Sequence, residues 1–130
     1  MPKTVLIVED NELNQTLFVD ILESRGYLTL RTPDGVTGFE IARARQPDLI
    51  VMDIQLPAIS GLEITRWIKS DPLVAHIPVL AVTAFAMRGD EARIREAGCE
   101  AYLPKPVSLA AFLEEVESLL ARSPSRAGPT

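Results

Sequence analysis

The chain has 130 residues, 47% of them apolar, which suits one compact domain with its own core, and no apolar run approaches the length of a membrane span. A formal net charge of −5 with no clustered Lys/Arg stripe argues against nucleic acid and anionic lipid, leaving a cation, a small molecule or a protein as partner. The single cysteine, Cys99, cannot form an internal disulfide, and the N-terminus enters a strand-like run without a signal-peptide h-region. Both features fit a cytoplasmic setting.

Val5-Leu6-Ile7-Val8 is an unbroken apolar run and reads as a buried strand. Asn11 caps a helix whose Leu13, Leu17 and Ile21 recur every fourth residue as an apolar stripe, and Gly26 stops it. Tyr27 to Leu30 reads as a short strand. Asp34 and Gly35 open a helix through about Arg45, with Val36, Phe39 and Ala42 on one face and Pro47 beyond its end. Leu49-Ile50-Val51-Met52 is a second continuous apolar run and suits a central parallel strand covered on both faces. Ser60 and Glu63 form a capping-box pattern that opens a helix to about Lys69.

Pro78 to Val82 is a further core strand, and a helix from about Asp90 to Ala97 ends at Gly98. Ala101-Tyr102-Leu103 is the last strand. Ser108 caps the last helix, which turns Phe112, Val116 and Leu119 inward. Residues 1–122 read as one domain, and 123–130 as a disordered polar tail. Five strand–helix alternations call for a (βα)5 doubly wound parallel sheet of the α/β class, with helices on both faces and right-handed crossovers. The expected strand order is the flavodoxin-like 2-1-3-4-5, in which the first and third strands are neighbours.

Ligand chemistry in such sheets gathers at the carboxyl ends of the strands. Glu9 and Asp10 follow the first strand, Asp53 the third, Thr83 the fourth, and Lys105 with Pro106 the fifth. Neighbouring strands are about 4.8 Å apart, so Asp10 and Asp53 can share one cation. Three carboxylates so close repel one another, whereas a divalent cation plus Lys105 brings the formal sum to zero. Mg²⁺ suits such a site because it prefers oxygen ligands and keeps several waters, one of which a phosphate oxygen can replace. Beside the metal, Asp53 becomes a nucleophile able to form an acyl phosphate, with Lys105 neutralising phosphoryl oxygens and Thr83 donating a hydrogen bond.

Any one of these acids, taken alone, is explained by a loop or a helix cap, and Asp34 reads as an N-cap. The joint placement of acids, Thr and Lys after successive strands is what points to a functional site. His76 falls in a loop at the opposite end of the strands and reads as solvated. Cys99 reads as a half-buried filler, Trp67 as helix packing with the alternative of a partner contact, and Tyr102 as edge-strand packing.

Val8-Glu9-Asp10-Asn11, Met52-Asp53-Ile54-Gln55-Leu56-Pro57, Ser60-Gly61, Val82-Thr83-Ala84 and Lys105-Pro106 closely resemble the bacterial response-regulator receiver family, whose CheY-like fold is the one deduced above. The resemblance runs through about Leu120. Leu6 to Asn14 and Thr83 to Glu91 are similar, within that family, to single-domain regulators of the cell cycle. The resemblance implies that Asp53 accepts phosphate from a sensor histidine kinase or a histidine phosphotransfer protein. It implies Mg²⁺ (with Mn²⁺ as a substitute) on Asp10, Asp53 and the Gln55 main-chain carbonyl, with Glu9 acting mainly through water.

By the same resemblance Lys105 contacts the phosphoryl group and precedes a cis Pro106. Thr83 moves toward the phosphoryl group, Tyr102 turns inward behind it, and Gln55 and Ala84 flank the site where dephosphorylation is tuned. The face built from the fourth helix, fifth strand and fifth helix is the implied output surface. Downstream cell-cycle protein regulators, a monomer or weak dimer, and a cytoplasmic location with recruitment to a cell pole are further implications. Pro104 departs from the family pattern, which often has a small or polar residue before Lys-Pro.

Other readings stand beside this one. An aspartate-nucleophile phosphatase needs a second acid two residues past the nucleophile, where this chain has Gln55. A flavin or dinucleotide module needs glycines after the first strand, where Glu9-Asp10-Asn11-Glu12 has none. The short tail after the last helix leads to the expectation of a stand-alone module that is not itself an enzyme, the alternative being a receiver excised from a larger hybrid kinase or regulator.

Overall fold

The computed structural model describes residues 2–84 and 88–122. The elements in chain order are β1 (Thr4–Val8), α1 (Glu12–Ser24), β2 (Leu28–Thr32), α2 (Gly35–Arg45), β3 (Leu49–Asp53), α3 (Gly61–Ser70), β4 (Val79–Thr83), α4 (Arg88–Ala97), β5 (Ala101–Pro104) and α5 (Leu109–Arg122). The five strands form one parallel sheet in the order β2-β1-β3-β4-β5, as expected.

The continuous apolar runs follow from burial on both faces of the sheet. Alternate residues serve opposite cores. Leu6, Val8, Ile50, Met52, Val79 and Ala81 pack beneath α2, α3 and α4 with Ala42, Ile64, Ile68 and Ile94. Val5, Ile7, Leu49, Val51, Leu80 and Val82 pack against α1 and α5 through Phe18, Leu22, Phe112 and Val116. Phe18 and Phe112 stack at a centroid separation of 4.7 Å, joining α1 to α5.

Two helical faces differ from the sequence reading. In α1 the buried residues are Phe18, Val19 and Leu22, while Leu13 and Leu17 are 68% and 43% exposed. A spacing of four fits more than one rotation of the helix, and the stacking of Phe18 on Phe112 selects the rotation. In α2 the buried residues are Gly35, Gly38 and Ala42, with Val36 exposed. A Cβ on Gly38 would lie 2.7 Å from Val8 Cγ2, so this helix meets the sheet through its smallest residues.

Caps and ends also sharpen. Asn11 accepts from the main-chain N–H of Asn14, and Asp34 accepts from the main-chain N–H and then the hydroxyl of Thr37, which lower the Asp34 pKa. Ser60 caps α3 through the N–H of Leu62, while Glu63 pairs with Arg66 instead of closing a capping box. β2 runs to Thr32 because Val8 and Thr32 are still in register. α4 begins at Arg88, two residues before the expected start. Pro104 ends the edge strand β5 opposite Thr83, where its missing N–H is tolerated. The tail at 123–130 lies outside the described residues, as do Phe85, Ala86 and Met87.

Candidate functional site

Register brings the functional side chains together. Val8 pairs with Met52 across β1 and β3, so Glu9 and Asp53 leave their strands at the same level. Asp53 pairs with Val82, one residue before Thr83. Lys105 follows β5 and donates its main-chain N–H to Thr83 O at 2.7 Å. The Lys105–Pro106 peptide is cis.

Glu9, Asp10 and Asp53 each turn a carboxylate oxygen into one space, all within 4.8 Å of one another. Lys105 Nζ stands 3.2 Å from Asp53 Oδ2 and 3.2 Å from Glu9 Oε1. Glu9 and Asp53 are fully buried, and Asp10 is exposed at the rim. The Gln55 N–H donates to Asp53 Oδ1 at 2.9 Å, and the Asn11 N–H to Glu9 Oε2 at 3.1 Å.

One cation does not balance three acids. Burial pushes the Glu9 carboxyl up to about 7, helped by the hydrogen bond and repulsion of Asp53 and opposed by the Asn11 N–H and Lys105. Asp10 is raised as well, first by desolvation and then by Asp53. Glu9 Oε1 is a buried oxygen with no hydrogen bond among the described residues, despite the nearby ammonium. A buried, underserved carboxylate beside two more, with only oxygen donors, fits a hard divalent cation. Glu9, Asp10 and Asp53 together could hold one.

Thr83 is buried at the end of β4. Tyr102 is half-buried and packs against the core beneath α3 and α4. Gln55 reaches Ala84, whose main-chain N–H donates to Gln55 Oε1 at 2.7 Å. The residues outside the site fall as follows. His76 is exposed in the loop before β4. Cys99 is fully buried against Thr65 rather than half-buried, because the positive φ of Gly98 turns the chain inward behind α4. Trp67 packs edge-on against Phe39, tying α3 to α2.

Sequence reasoning quoted Gly61 within a family motif but gave it no role, and it missed Gln15. Gly61 opens α3 so close to β3 that a Cβ there would fall on the Asp53 carbonyl oxygen. Its signal was a glycine at the start of a helix, where conformational freedom is not needed and close approach is. Gln15 Nε2 donates to Glu9 O at 3.0 Å, and nothing in the local pattern announces that bond.

A parallel five-stranded sheet that gathers three acids, a Thr and a Lys at its carboxyl end defines a receiver module. The chain belongs to the response regulator receiver domain family, whose model matches residues 5–117. It is 59% identical over 120 residues to the polar-differentiation response regulator DivK of Brucella anthropi, covering 92% of this chain and 98% of that protein. DivK of Brucella ovis is 58% identical with the same coverage. Among solved structures, the receiver domain of a sensor histidine kinase from Pseudomonas aeruginosa, with a magnesium ion coordinated in its active-site cleft, superposes with a TM-score of 0.86 at 32% identity, over 93% of this chain and 99% of that one.

Proposed function

We propose that this chain is a phospho-accepting response regulator in which Asp53 receives the phosphoryl group. The observation that carries the reading is the Asp53 carboxylate, buried at the end of β3 with Lys105 Nζ at 3.2 Å and two further acids beside it. A carboxylate oxygen of Asp53 attacks the phosphorus of a phosphohistidine on a sensor histidine kinase or phosphotransfer protein. The P–N bond breaks, the imidazole leaves with the electron pair, and an acyl phosphate forms.

Asp10, Asp53 and the Gln55 main-chain carbonyl would hold Mg²⁺, or Mn²⁺ in its place, with Glu9 acting mainly through water. The cation supplies charge neutralisation for the phosphoryl oxygens. Lys105 is placed to ion-pair with the transferred group, and the buried Thr83 hydroxyl to hydrogen-bond it. Thr83 and the inward turn of Tyr102 would carry the change to α4, β5 and α5. An output made by docking to other proteins accords with an acidic chain that has no basic stripe.

The likeness to DivK supports cell-cycle regulators as downstream partners and a cytoplasmic setting with polar recruitment. No described helix is long and apolar enough to cross a membrane. The test is incubation with acetyl phosphate and Mg²⁺. The wild type gains an acid-stable, base-labile phosphoryl group and Asp53→Asn does not; equal labelling of the variant refutes the assignment. Phosphotransfer timed against each histidine kinase of the host then identifies the cognate donor.

A further inference from the structure

The three acids are not equally well held. Asp53 is the last residue of β3, in register with Val82 on β4. Glu9 donates its N–H to Thr32 O at 3.1 Å, and its carboxylate accepts from the Asn11 N–H and lies beside Lys105. Asp10 sits one residue further out, with its side chain at the exposed rim. Lys105 pairs with Glu9 and Asp53 rather than with Asp10. The place of the Asp10 carboxylate is therefore set by the main chain that delivers it.

Gln15 holds that main chain. Its Nε2 donates to Glu9 O at 3.0 Å, six residues back along the chain. The Glu9 carbonyl belongs to the same planar unit as the nitrogen and Cα of Asp10, so fixing the oxygen fixes the direction in which Asp10 leaves β1. Helix capping does not account for the bond: the unpaired groups at a helix N-terminus are N–H groups, and Gln15 donates to a carbonyl. Gln15 is itself well anchored. Its own N–H donates to Asn11 O at 2.9 Å in the first turn of α1, its side chain is half-buried, and Phe18, on the next turn, stacks on Phe112.

We infer that Gln15 is a positioning residue of the cation site: from α1 it holds the Glu9–Asp10 peptide in the orientation that turns the Asp10 carboxylate toward Asp53. Without the donor the peptide is free to rotate, and Asp10 spends part of its time away from the cluster. The inference rests on the reading of Glu9, Asp10 and Asp53 as a site for Mg²⁺.

The test is an Mg²⁺ titration followed by NMR in wild type, Gln15→Met, Gln15→Ala and Val19→Ala, with the Glu9 carbonyl carbon resonance recorded in EDTA beforehand. Gln15→Met keeps most of the side-chain volume and Gln15→Ala favours the helix, but both delete the donor. Val19 is buried one turn further along α1, so Val19→Ala loosens the same helix and leaves Gln15 in place. Both Gln15 variants are expected to bind Mg²⁺ about 3- to 10-fold more weakly, the worth of one net hydrogen bond, and to move the Glu9 carbonyl resonance upfield before metal is added. Val19→Ala is expected to lower the unfolding midpoint and leave both readings where they are.

Unchanged or tighter Mg²⁺ binding in either Gln15 variant, or an unmoved Glu9 resonance, overturns the positioning role. So does an equal loss of affinity in Val19→Ala, which would make the effect a general loosening of α1. A wild type that does not bind Mg²⁺, or an Asp10→Asn variant that binds it as tightly, removes the cation-site reading and this inference with it. Binding that depends on Asp10 but not on Gln15 removes the positioning role alone.

Discussion

Lys105 Nζ lies at the same 3.2 Å from Asp53 Oδ2 and from Glu9 Oε1, so one ammonium from the end of β5 serves two buried carboxylates from two other strands. It is a shared and incomplete counter-charge. That relationship determines how the site responds to mutation, protons and metal.

Lys105→Met removes that ammonium and leaves the acids to repel one another. The metal-free variant should lose about 1–3 kcal/mol near pH 8, less than for a fully trapped charge because Glu9 can take up a proton. Its Mg²⁺ affinity should rise, since a competing positive charge is gone. Urea unfolding in EDTA and in Mg²⁺ checks both; a variant as stable as wild type in EDTA contradicts the counter-charge role.

Protons should stabilise the metal-free protein. The Glu9 carboxyl is raised from 4.5 to about 7, so between those values the folded state holds a proton that the unfolded chain has released. Stability therefore falls as pH rises through this window and levels off above it. Glu9 contributes a slope of at most about 1.4 kcal/mol per pH unit, and Asp10, raised in the same direction, adds to it. Urea midpoints in EDTA across the window measure this, and stability that rises with pH there would contradict it.

Mg²⁺ should oppose that dependence. The raised Glu9 carboxyl must give up its proton for the site to carry its full negative charge, so affinity grows as pH rises toward 7. At a free concentration 100-fold above Kd, stabilisation is about 2.7 kcal/mol. Thermal unfolding with and without Mg²⁺ at several pH values reads this directly, and Asp10→Asn together with Asp53→Asn should abolish it.

Gly61→Ala should disturb Asp53 without touching any charge. The added methyl meets the Asp53 carbonyl oxygen, which belongs to backbone and cannot rotate away. A loss on the order of 3 kcal/mol, with weakened Mg²⁺ binding, is expected. Unfolding midpoints and Mg²⁺ titration of the variant test the pair of effects.

Much of this was legible in the sequence, for physical reasons that also mark where it stopped. Val5 to Val8 and Leu49 to Met52 announced central strands because burial on both faces leaves no polar alternation to confuse. With the strand order known, Asp10, Asp53, Thr83 and Lys105 had to meet. Helix faces were harder: Leu13 and Leu17 looked buried by spacing, yet Phe18 and its stacking partner on α5 fix the rotation, a contact almost a hundred residues apart in sequence. α2 misled because its contact with the sheet is made by Gly35, Gly38 and Ala42, which carry little hydropathy. The bond from Ala84 to Gln55, and the close approach of Gly61 to Asp53, depend on how a loop closes back on the sheet, which no local pattern encodes.

The central claim is that the phosphoryl group forms its bond at Asp53. Borohydride reduction of the phosphorylated protein converts the acyl phosphate to an alcohol, marking the acceptor for peptide mass spectrometry. Reduction confined to position 53, dependent on Mg²⁺, is the predicted result. A mark at Asp10 or Glu9 instead, or none in protein that carries a base-labile phosphoryl group, would contradict the account.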